Sequence, residues 1–366
     1  MSGERSAAGR PCPVVFAPGV AFTVFLDPTF DDPIDAAFAA GEFNARHLCD
    51  LVLRLSRRGG RVLDLGAHHG TIALTAAAAG RHVLAVEASP RNVELLRQSA
   101  AANGFDCLKI VHAAAGAAAG VADFTSYGPW GHVGKPQVNV APVPVRVAAV
   151  DDLLQEVGWD TVDVIKMDIE GSEPAAVEGM KRLLSRPDAP ALIYECNAAG
   201  LATFGRTVNE LKAELAHLGY QNYWIEPSAQ LPFFRRQAVR IARRLGRGAM
   251  RSSGGCLTPV EAADPQPEFC VDYLAVKRRP AGLGFAWWVR PPLSREEIVA
   301  RVVQTCSDSP APQQCVYLAQ MLAAWPAWLR DDDRIRRAVD GLFSQGLPGS
   351  APPPVEDADQ RWRRGA

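Results

Sequence analysis

One segment, residues 61–87, constrains the fold more than any other part of the chain. It reads RVLDLGAHHGTIALTAAAAGRHVLAVE, which is an apolar run, a turn that holds Gly66 and Gly70, an alanine-rich helical pattern and a second apolar run ending at Glu87. A strand, a glycine turn, a helix and a second strand in this order form a βαβ unit, whose two strands lie parallel in one sheet. The segment therefore predicts an α/β fold built on a buried parallel sheet.

The spacing of the glycines indicates what kind of ligand this turn can approach. Loops that cradle a pyrophosphate read G-x-G-x-x-G, and their middle glycine lets the phosphates come close to the backbone. Residues 66–70 read GAHHG, so the middle glycine is missing, and no G-K-[ST] follows as it would in a P-loop. An acid such as Glu87 at the end of the second strand can accept hydrogen bonds from both ribose hydroxyls. The pattern favours a nucleoside without phosphates, such as S-adenosylmethionine, with Asp64 near its cationic end.

The alternation of strands and helices continues beyond this unit. Residues 90–103 predict a helix that stops at Gly104, and further strands are predicted over 108–115, 162–171 and 191–197. Ligands of such sheets bind beyond the carboxyl ends of the strands. Six polar residues are predicted at those ends: Asp64, Glu87, Asp168, Glu170, Glu195 and Asn197.

These segments resemble the FkbM-type S-adenosylmethionine-dependent methyltransferases. The matching pieces are GEFNARHL, VLDLGAHHG, VEASPRNVELLRQSAAANG, VAAVDDLL and IKMDIEGSEPAAVEGM, within residues 31–279. The resemblance implies a Rossmann-like class I methyltransferase fold, with a mostly parallel seven-stranded sheet and helices on both faces. It also implies S-adenosylmethionine as cofactor and O-methylation of a hydroxyl on a sugar, glycan or secondary metabolite. The chain departs from the family at His68, where Asn is usual, and at residues 87–90, which read EASP where EPNP is frequent.

The acids at the strand ends are the candidates for the chemistry. A positioned base that takes the proton of an acceptor hydroxyl contributes about 10²–10⁴-fold to a rate. We expect three catalytic residues: Asp168, Glu170 and Glu195. The expected cofactor-binding residues are Asp64, Gly66, Ala67, His68, Gly70, Glu87, Ala88, Ala114 and Asp168.

Other side chains near the carboxyl ends of the strands leave alternative roles open, as a metal ligand or as a different general base. Lys166 lies inside the fourth strand and is expected to pair with an acid. Asp168, Glu170 and Asn197 carry oxygen atoms of the kind that Mg²⁺ prefers, but no distinctive metal spacing is present, so no metal is expected. The alternative bases are His68, His69 and His132.

The composition of the chain argues against several classes of protein. The chain of 366 residues is 48% hydrophobic, and its net charge of −1 gives no general attraction to nucleic acid. The eight cysteines show no zinc spacing. There is no run of about 18 apolar residues and no evident signal peptide, so a cytoplasmic location is expected.

The predicted organisation has four parts. Residues 1–30 form an N-terminal extension with a pair of short strands, and residues 31–280 form the methyltransferase domain. Residues 281–345 form a helical C-terminal extension, which starts with a capping box at Ser294. Residues 346–366 are rich in Pro and Gly and are expected to be disordered.

The methyltransferase domain contains a basic insertion, residues 231–255. It holds seven arginines and no acid, interleaved with apolar side chains, and predicts a basic amphipathic helix. Peripheral membrane contact through residues 233–251, or an anionic or lipid-linked acceptor, would explain this bias. A solvated helix whose arginines pair with acids elsewhere is the alternative. The oligomeric state is not predicted.

Three other functions remain as hypotheses. A nucleic-acid or protein methyltransferase would use the arginines as a guide, but the fourth strand ends in MDIEG rather than the NPPY or DPPY typical of amide- and adenine-methylating enzymes. A non-catalytic scaffold would keep the fold and use its helical tail for partners. A nicotinamide dehydrogenase is the weakest alternative, because the glycine pattern does not suit a pyrophosphate.

Overall fold

The computed structural model describes most of the predicted domain. The described residues are 9–30, 32–43, 45–126, 131–134, 141–227, 254–266, 270–278, 283, 287–308 and 325–344. The predicted tail (346–366) lies outside them. So do all but the last two residues of the insertion and residues 309–324 of the predicted helical extension.

Strands and helices alternate along the described chain. The strands are β1 (Arg10–Ala17), β2 (Val20–Leu26), β3 (Arg61–Leu65), β4 (His82–Glu87), β5 (Leu108–His112), β6 (Ala114–Gly116), β7 (Gly120–Thr125), β8 (His132–Val133), β9 (Val143–Ala149), β10 (Val164–Met167), β11 (Ala191–Asn197), β12 (Gln221–Pro227), β13 (Gly255–Val260), β14 (Cys270–Val276) and β15 (Trp287–Val289). The helices are α1 (Pro33–Ala39), α2 (Arg46–Leu55), α3 (Thr71–Ala78), α4 (Pro90–Asn103), α5 (Val150–Glu156), α6 (Glu173–Gly179), α7 (Lys181–Leu184), α8 (Ala198–Thr203), α9 (Val208–His217), α10 (Arg295–Asp308), α11 (Ala327–Arg330) and α12 (Asp333–Ser344).

A central sheet organises the molecule. Its strand order is β15-β13-β12-β14-β11-β10-β3-β4-β5. The strands from β11 to β5 run parallel, whereas β14 lies antiparallel to both β11 and β12. The segments NYWIE and VDYLAVKR thus contribute an antiparallel pair of strands, β12 and β14, to this sheet.

The predicted strand count of seven is wrong, because two short strands extend the edge beyond β12. Strand β13 pairs antiparallel with β12, and β15 pairs parallel with β13. Both satisfy backbone groups that an edge strand leaves unpaired. The indole of Trp287 in β15 also donates to the buried carboxylate of Asp50 at 2.6 Å, which fixes this strand against α2.

The predicted third strand, residues 108–115, divides between two sheets. Strand β5 ends at His112, and residues from Ala114 onward pair with β9 in a separate four-stranded sheet of order β6-β9-β7-β8. The amide of Ala113 still donates to the carbonyl of Glu87 at 3.0 Å, so the chain leaves the central sheet just past the end of β4. This division places the small sheet beside the carboxyl ends of the central strands.

Helices cover both faces of the central sheet, as predicted. Alternate side chains of a strand point to opposite faces. Val62 of β3 packs with α2, α3 and the β1–β2 hairpin, whereas its neighbour Leu63 packs with α5, α6 and α9. Helix α4 begins at Pro90 and ends at Gly104 in the left-handed conformation, as its sequence predicts.

The C-terminal helices pack against the extended edge of the sheet. Ser294 and Glu297 form the predicted capping box of α10. The guanidinium of Arg301 donates to the buried carboxylate of Glu226 at 2.6 Å and lies 4.3 Å from the Trp224 ring. Among the described residues, no helix combines the length and the apolar character that a membrane span needs.

Candidate active site

A cavity of about 280 Å³ lies at the carboxyl ends of the central strands. Six of the predicted cofactor-binding residues line it: Gly66, His68, Glu87, Ala88, Ala114 and Asp168. The other two predicted catalytic residues, Glu170 and Glu195, line it as well, and so does His132 of the small sheet. The structure therefore brings residues from six separate segments of the chain to one place.

The glycine loop approaches the end of β10 so closely that a side chain cannot fit. Gly66 has a φ of 77°, and a Cβ atom there would lie 1.8 Å from the carbonyl oxygen of Asp168. Two residues further on, His68 also adopts the left-handed conformation, with a φ of 52°. This part of the cavity is consequently formed by backbone, which suits close approach of a ligand.

Glu87 holds the loop while facing the cavity. Its Oε2 accepts from the His68 amide and its Oε1 accepts from the Ser89 amide, both at 2.7 Å. Each carboxylate oxygen has a second lone pair, so both can still accept from a ligand. Two oxygens of fixed position suit the two hydroxyls of a ribose, and the residues present therefore fit the nucleoside part of S-adenosylmethionine.

A flat apolar wall stands beside Glu87. Ala88 and Ala114 pack with Phe124 from β7, and Ala113 and Ala115 also line the cavity. Small side chains in a row leave space for a planar ring, which pockets for small ligands commonly provide. The wall exists because the chain crosses to the small sheet at Ala113.

Three predicted cofactor residues are not among the described residues that line the cavity. Asp64 is 1% exposed and points to the α3 side of the sheet, where it accepts from the Ala73 amide. Gly70 is the N-cap of α3 with a φ of 105°, and Ala67 is buried with its amide on the Val86 carbonyl. Asp64 pairs with Lys166 in the sheet register and lies near the charges of Lys166, Asp168 and Glu87, while the backbones of Ala67 and Gly70 shape the loop.

Three acids meet at the ends of β10 and β11. One carboxylate oxygen from each of Asp168, Glu170 and Glu195 lies within 4.8 Å of the others, so this group offers oxygen ligands for a cation. Lys166 donates to Asp168 at 2.8 Å, which confirms that this lysine pairs with an acid. Asn197 donates to Glu170 at 2.8 Å.

The environment separates the protonation states of these acids. Burial alone would raise the pKa of Asp168, but Lys166 and a hydrogen bond from Glu195 hold it below its usual range. Burial, reinforced by Asp168 and Glu170, raises the pKa of Glu195 well above normal. Burial and Asp168 together raise the pKa of Glu170 to about 8. These surroundings therefore favour the ionised form of Asp168 and the protonated forms of Glu170 and Glu195.

Two further acids were missed by the sequence reading. Asp272 of β14 lies opposite Glu195 in the sheet register, and burial raises its pKa to about 6. Glu173 is fully buried and accepts from the Ile169 amide at 3.0 Å, and burial raises its pKa to about 7. For Asp272 a signal existed, because a polar residue interrupts the apolar strand pattern VDYLAV.

Comparisons with known proteins agree with this geometry. Residues 64–221 match the model of the methyltransferase FkbM domain. No curated protein sequence matches the chain.

Two similar solved structures share little sequence identity with this chain. One is the precorrin-6Y C5,15-methyltransferase of Geobacter metallireducens, with 10% identity over 63% of this chain and 85% of that chain and a TM-score of 0.34. A SAM-dependent methyltransferase of Agrobacterium tumefaciens has 13% identity over 74% of this chain and 71% of that chain, also with a TM-score of 0.34. TM-scores this low carry no argument about fold or function, so the assignment rests on the FkbM match. Residues 64–221 therefore match a methyltransferase domain of the FkbM type, which implies S-adenosylmethionine as cofactor and methyl transfer as the reaction.

Proposed function

We propose that the protein methylates a hydroxyl group of a sugar, glycan or related polyhydroxylated metabolite. The observation that carries this proposal is the group of three acids at the cavity rim, in which Lys166 pairs with Asp168 and leaves Glu170 and Glu195 beside it. An ionised carboxylate can accept a hydroxyl proton, and carboxylic acids can donate hydrogen bonds to neighbouring hydroxyl oxygens. A polyhydroxylated acceptor offers both kinds of partner.

Each residue has a separate task in this proposal. S-adenosylmethionine, when bound, supplies an electrophilic methyl group. Asp168 would take the proton of the acceptor hydroxyl while the hydroxyl oxygen bonds to the methyl carbon, and the carbon–sulfur bond of the sulfonium would break to leave a thioether. Lys166 favours the ionised form of Asp168 beforehand. Glu170 and Glu195 orient the acceptor, while Glu87 and the Gly66 backbone hold the cofactor.

The charge at the rim also bears on the acceptor. The cation Lys166 already faces the carboxyl groups of Asp168, Asp272 and Glu195, so it offers little attraction to an anion. We therefore propose that the reacting part of the acceptor is uncharged. A phosphate or lipid-linked group, if the acceptor has one, would lie away from the rim. The arginines that could meet it, in residues 231–255, lie outside the described residues except for the final glycines.

Cofactor binding is the first test. Calorimetry with S-adenosylmethionine and with NAD should give binding of the first alone. Replacing Glu87 by Gln leaves one acceptor oxygen where two amides now donate, so we expect a loss of about 1–3 kcal/mol in cofactor binding. Glu94→Gln on the surface of α4 is the matched control. Unchanged affinity of Glu87→Gln would contradict the ribose assignment.

The acceptor is tested by transfer of a tritiated methyl group to neutral glycosides, phosphosugars and amines. We expect transfer to neutral glycosides, and transfer confined to amines would overturn the proposal.

Asp168→Asn should lower turnover about 10²–10⁴-fold while cofactor affinity changes far less. Asp152→Asn, an exposed acid of α5, is the control. Equal losses of turnover and affinity in Asp168→Asn would make it a cofactor-holding residue instead.

No specific observation favours the alternative functions. Methylation of a nucleic acid or a protein, or contact with a membrane surface, would depend on the arginines of residues 231–255. These residues lie almost entirely outside the described chain.

A further inference from the structure

Two histidines of the glycine loop face two aspartates from the start of α1. His68 Nε2 lies 3.2 Å from Asp32 Oδ2, and His69 Nε2 lies 3.1 Å from Asp35 Oδ1. The centroids of the two imidazole rings are 4.0 Å apart. One ligand atom from each of Asp32, His68 and His69 lies within 4.8 Å of the others. The four side chains thus converge on one small volume next to the cavity.

Buried polar atoms in this group have no hydrogen bond. His69 is 1% exposed and Asp35 is 5% exposed, yet neither His69 Nε2 nor Asp35 Oδ1 makes a hydrogen bond despite their short separation. The same holds for Nδ1 of His68. A buried polar atom without a partner costs about 1–3 kcal/mol. Atoms arranged in this way point toward a shared ligand.

The remaining oxygens of the aspartates are held by the backbone. Asp32 Oδ1 accepts from the Ile34 amide at 2.8 Å, and Asp35 Oδ2 accepts from the Asp27 amide at 2.6 Å. Each carboxylate therefore has one oxygen fixed by an amide and the other directed at an imidazole. Hydrogen bonds of this kind orient metal ligands in proteins.

We propose that Asp32, His68 and His69 bind one divalent first-row transition metal ion, with Zn²⁺ as the best match and Asp35 as a nearby second carboxylate. Two imidazole nitrogens and one carboxylate oxygen suit zinc with a fourth position left to solvent, whereas Mg²⁺ and Ca²⁺ prefer oxygen alone. Tetrahedral bonds of about 2.0–2.2 Å place neighbouring ligand atoms roughly 3.4 Å apart, close to the 3.2 Å between His68 Nε2 and Asp32 Oδ2. Two carboxylates also neutralise the charge of the ion in a buried place.

Such an ion would connect α1 to the glycine loop. Pro33 and Ile34 of α1 line the cavity, as does His68. The metal would therefore fix one wall of the cofactor site and leave the acids at the ends of β10 and β11 to the acceptor. The site is independent of which acceptor the enzyme uses.

The test uses the full chain, stripped with EDTA and then titrated with Zn²⁺ alone in a calorimeter. We expect one ion per chain and at least about 100-fold weaker binding in His69→Ala, because a direct ligand is lost. Asp32→Asn should weaken Zn²⁺ binding to a similar extent. The matched controls are His82→Ala, an exposed histidine of β4, and Glu170→Gln in the acid group. Both should bind Zn²⁺ as the unaltered protein does.

A second measurement does not depend on the folding of any variant. Co²⁺ added to the unaltered stripped protein should give the visible absorption bands of a four-coordinate site, and Zn²⁺ should abolish them. Excess Mg²⁺ should leave these bands unchanged. Absence of stoichiometric Zn²⁺ binding, or binding that His69→Ala leaves unchanged, would overturn the proposal. Buried histidine–aspartate pairs sharing protons would then account for the cluster.

Discussion

The contact between the glycine loop and the end of β10 gives a quantitative prediction for Gly66→Ala. The left-handed conformation at this position costs a non-glycine residue about 1–2 kcal/mol. The new Cβ would also lie 1.8 Å from the Asp168 carbonyl oxygen, so backbone must shift. Overpacking of this kind costs about 1–3 kcal/mol. We expect the free energy of unfolding to fall by about 2–5 kcal/mol in total.

Gly104→Ala separates the two contributions. Gly104 ends α4 with a φ of 63°, and a Cβ there would meet no atom within 4 Å. This variant should therefore lose only the conformational part, about 1–2 kcal/mol. Urea unfolding of the two variants measures the difference. In calorimetry, Gly66→Ala should also weaken cofactor binding at least about tenfold because Asp168 is displaced, while Gly104→Ala should not. Equal losses of stability and affinity in the two variants would refute the argument.

Two buried charges give pH-dependent predictions. The pKa of Glu173 is raised from 4.5 when unfolded to about 7 in the fold, so its share of stability is complete below pH 4.5 and is lost as the pH rises through 7. This loss amounts to about 3 kcal/mol. Glu173→Gln has no ionisable group at this position and should not lose this stability as the pH rises. Urea unfolding at pH 5 and pH 8 should therefore show a smaller pH dependence in the variant than in the unaltered protein. Lys166→Met removes the cation that holds the pKa of Asp168 down, so the acid limb of the pH–rate profile should move to higher pH. A limb that stays in place would show that Asp168 is not the base.

The parts of the fold that could be predicted are those specified by local pattern. The βαβ unit at residues 61–87 and the helix from Pro90 to Gly104 have their apolar period, glycines and cap within one short segment. The ends of parallel strands meet at one edge by topology, which is why Glu87, Asp168 and Glu195 could be grouped from sequence alone. Neither inference needed knowledge of how distant elements pack.

The parts that could not be predicted depend on contacts between distant segments. The run at 108–115 has no break that marks its division at Ala113, because alanines suit both sheets. Asp32 and Asp35 come near the histidines only because α1 packs against the glycine loop, and no spacing in the sequence links residues so far apart.

The double role of Glu87 has an entropic consequence. Fixing the backbone of one residue costs about 1–2 kcal/mol, and a five-residue loop that became ordered only on binding would lose several kcal/mol of affinity. Because the Glu87 carboxylate already accepts from the His68 and Ser89 amides, that ordering is completed during folding. The arriving ligand meets a rigid receptor, and most of its contact energy remains available as affinity.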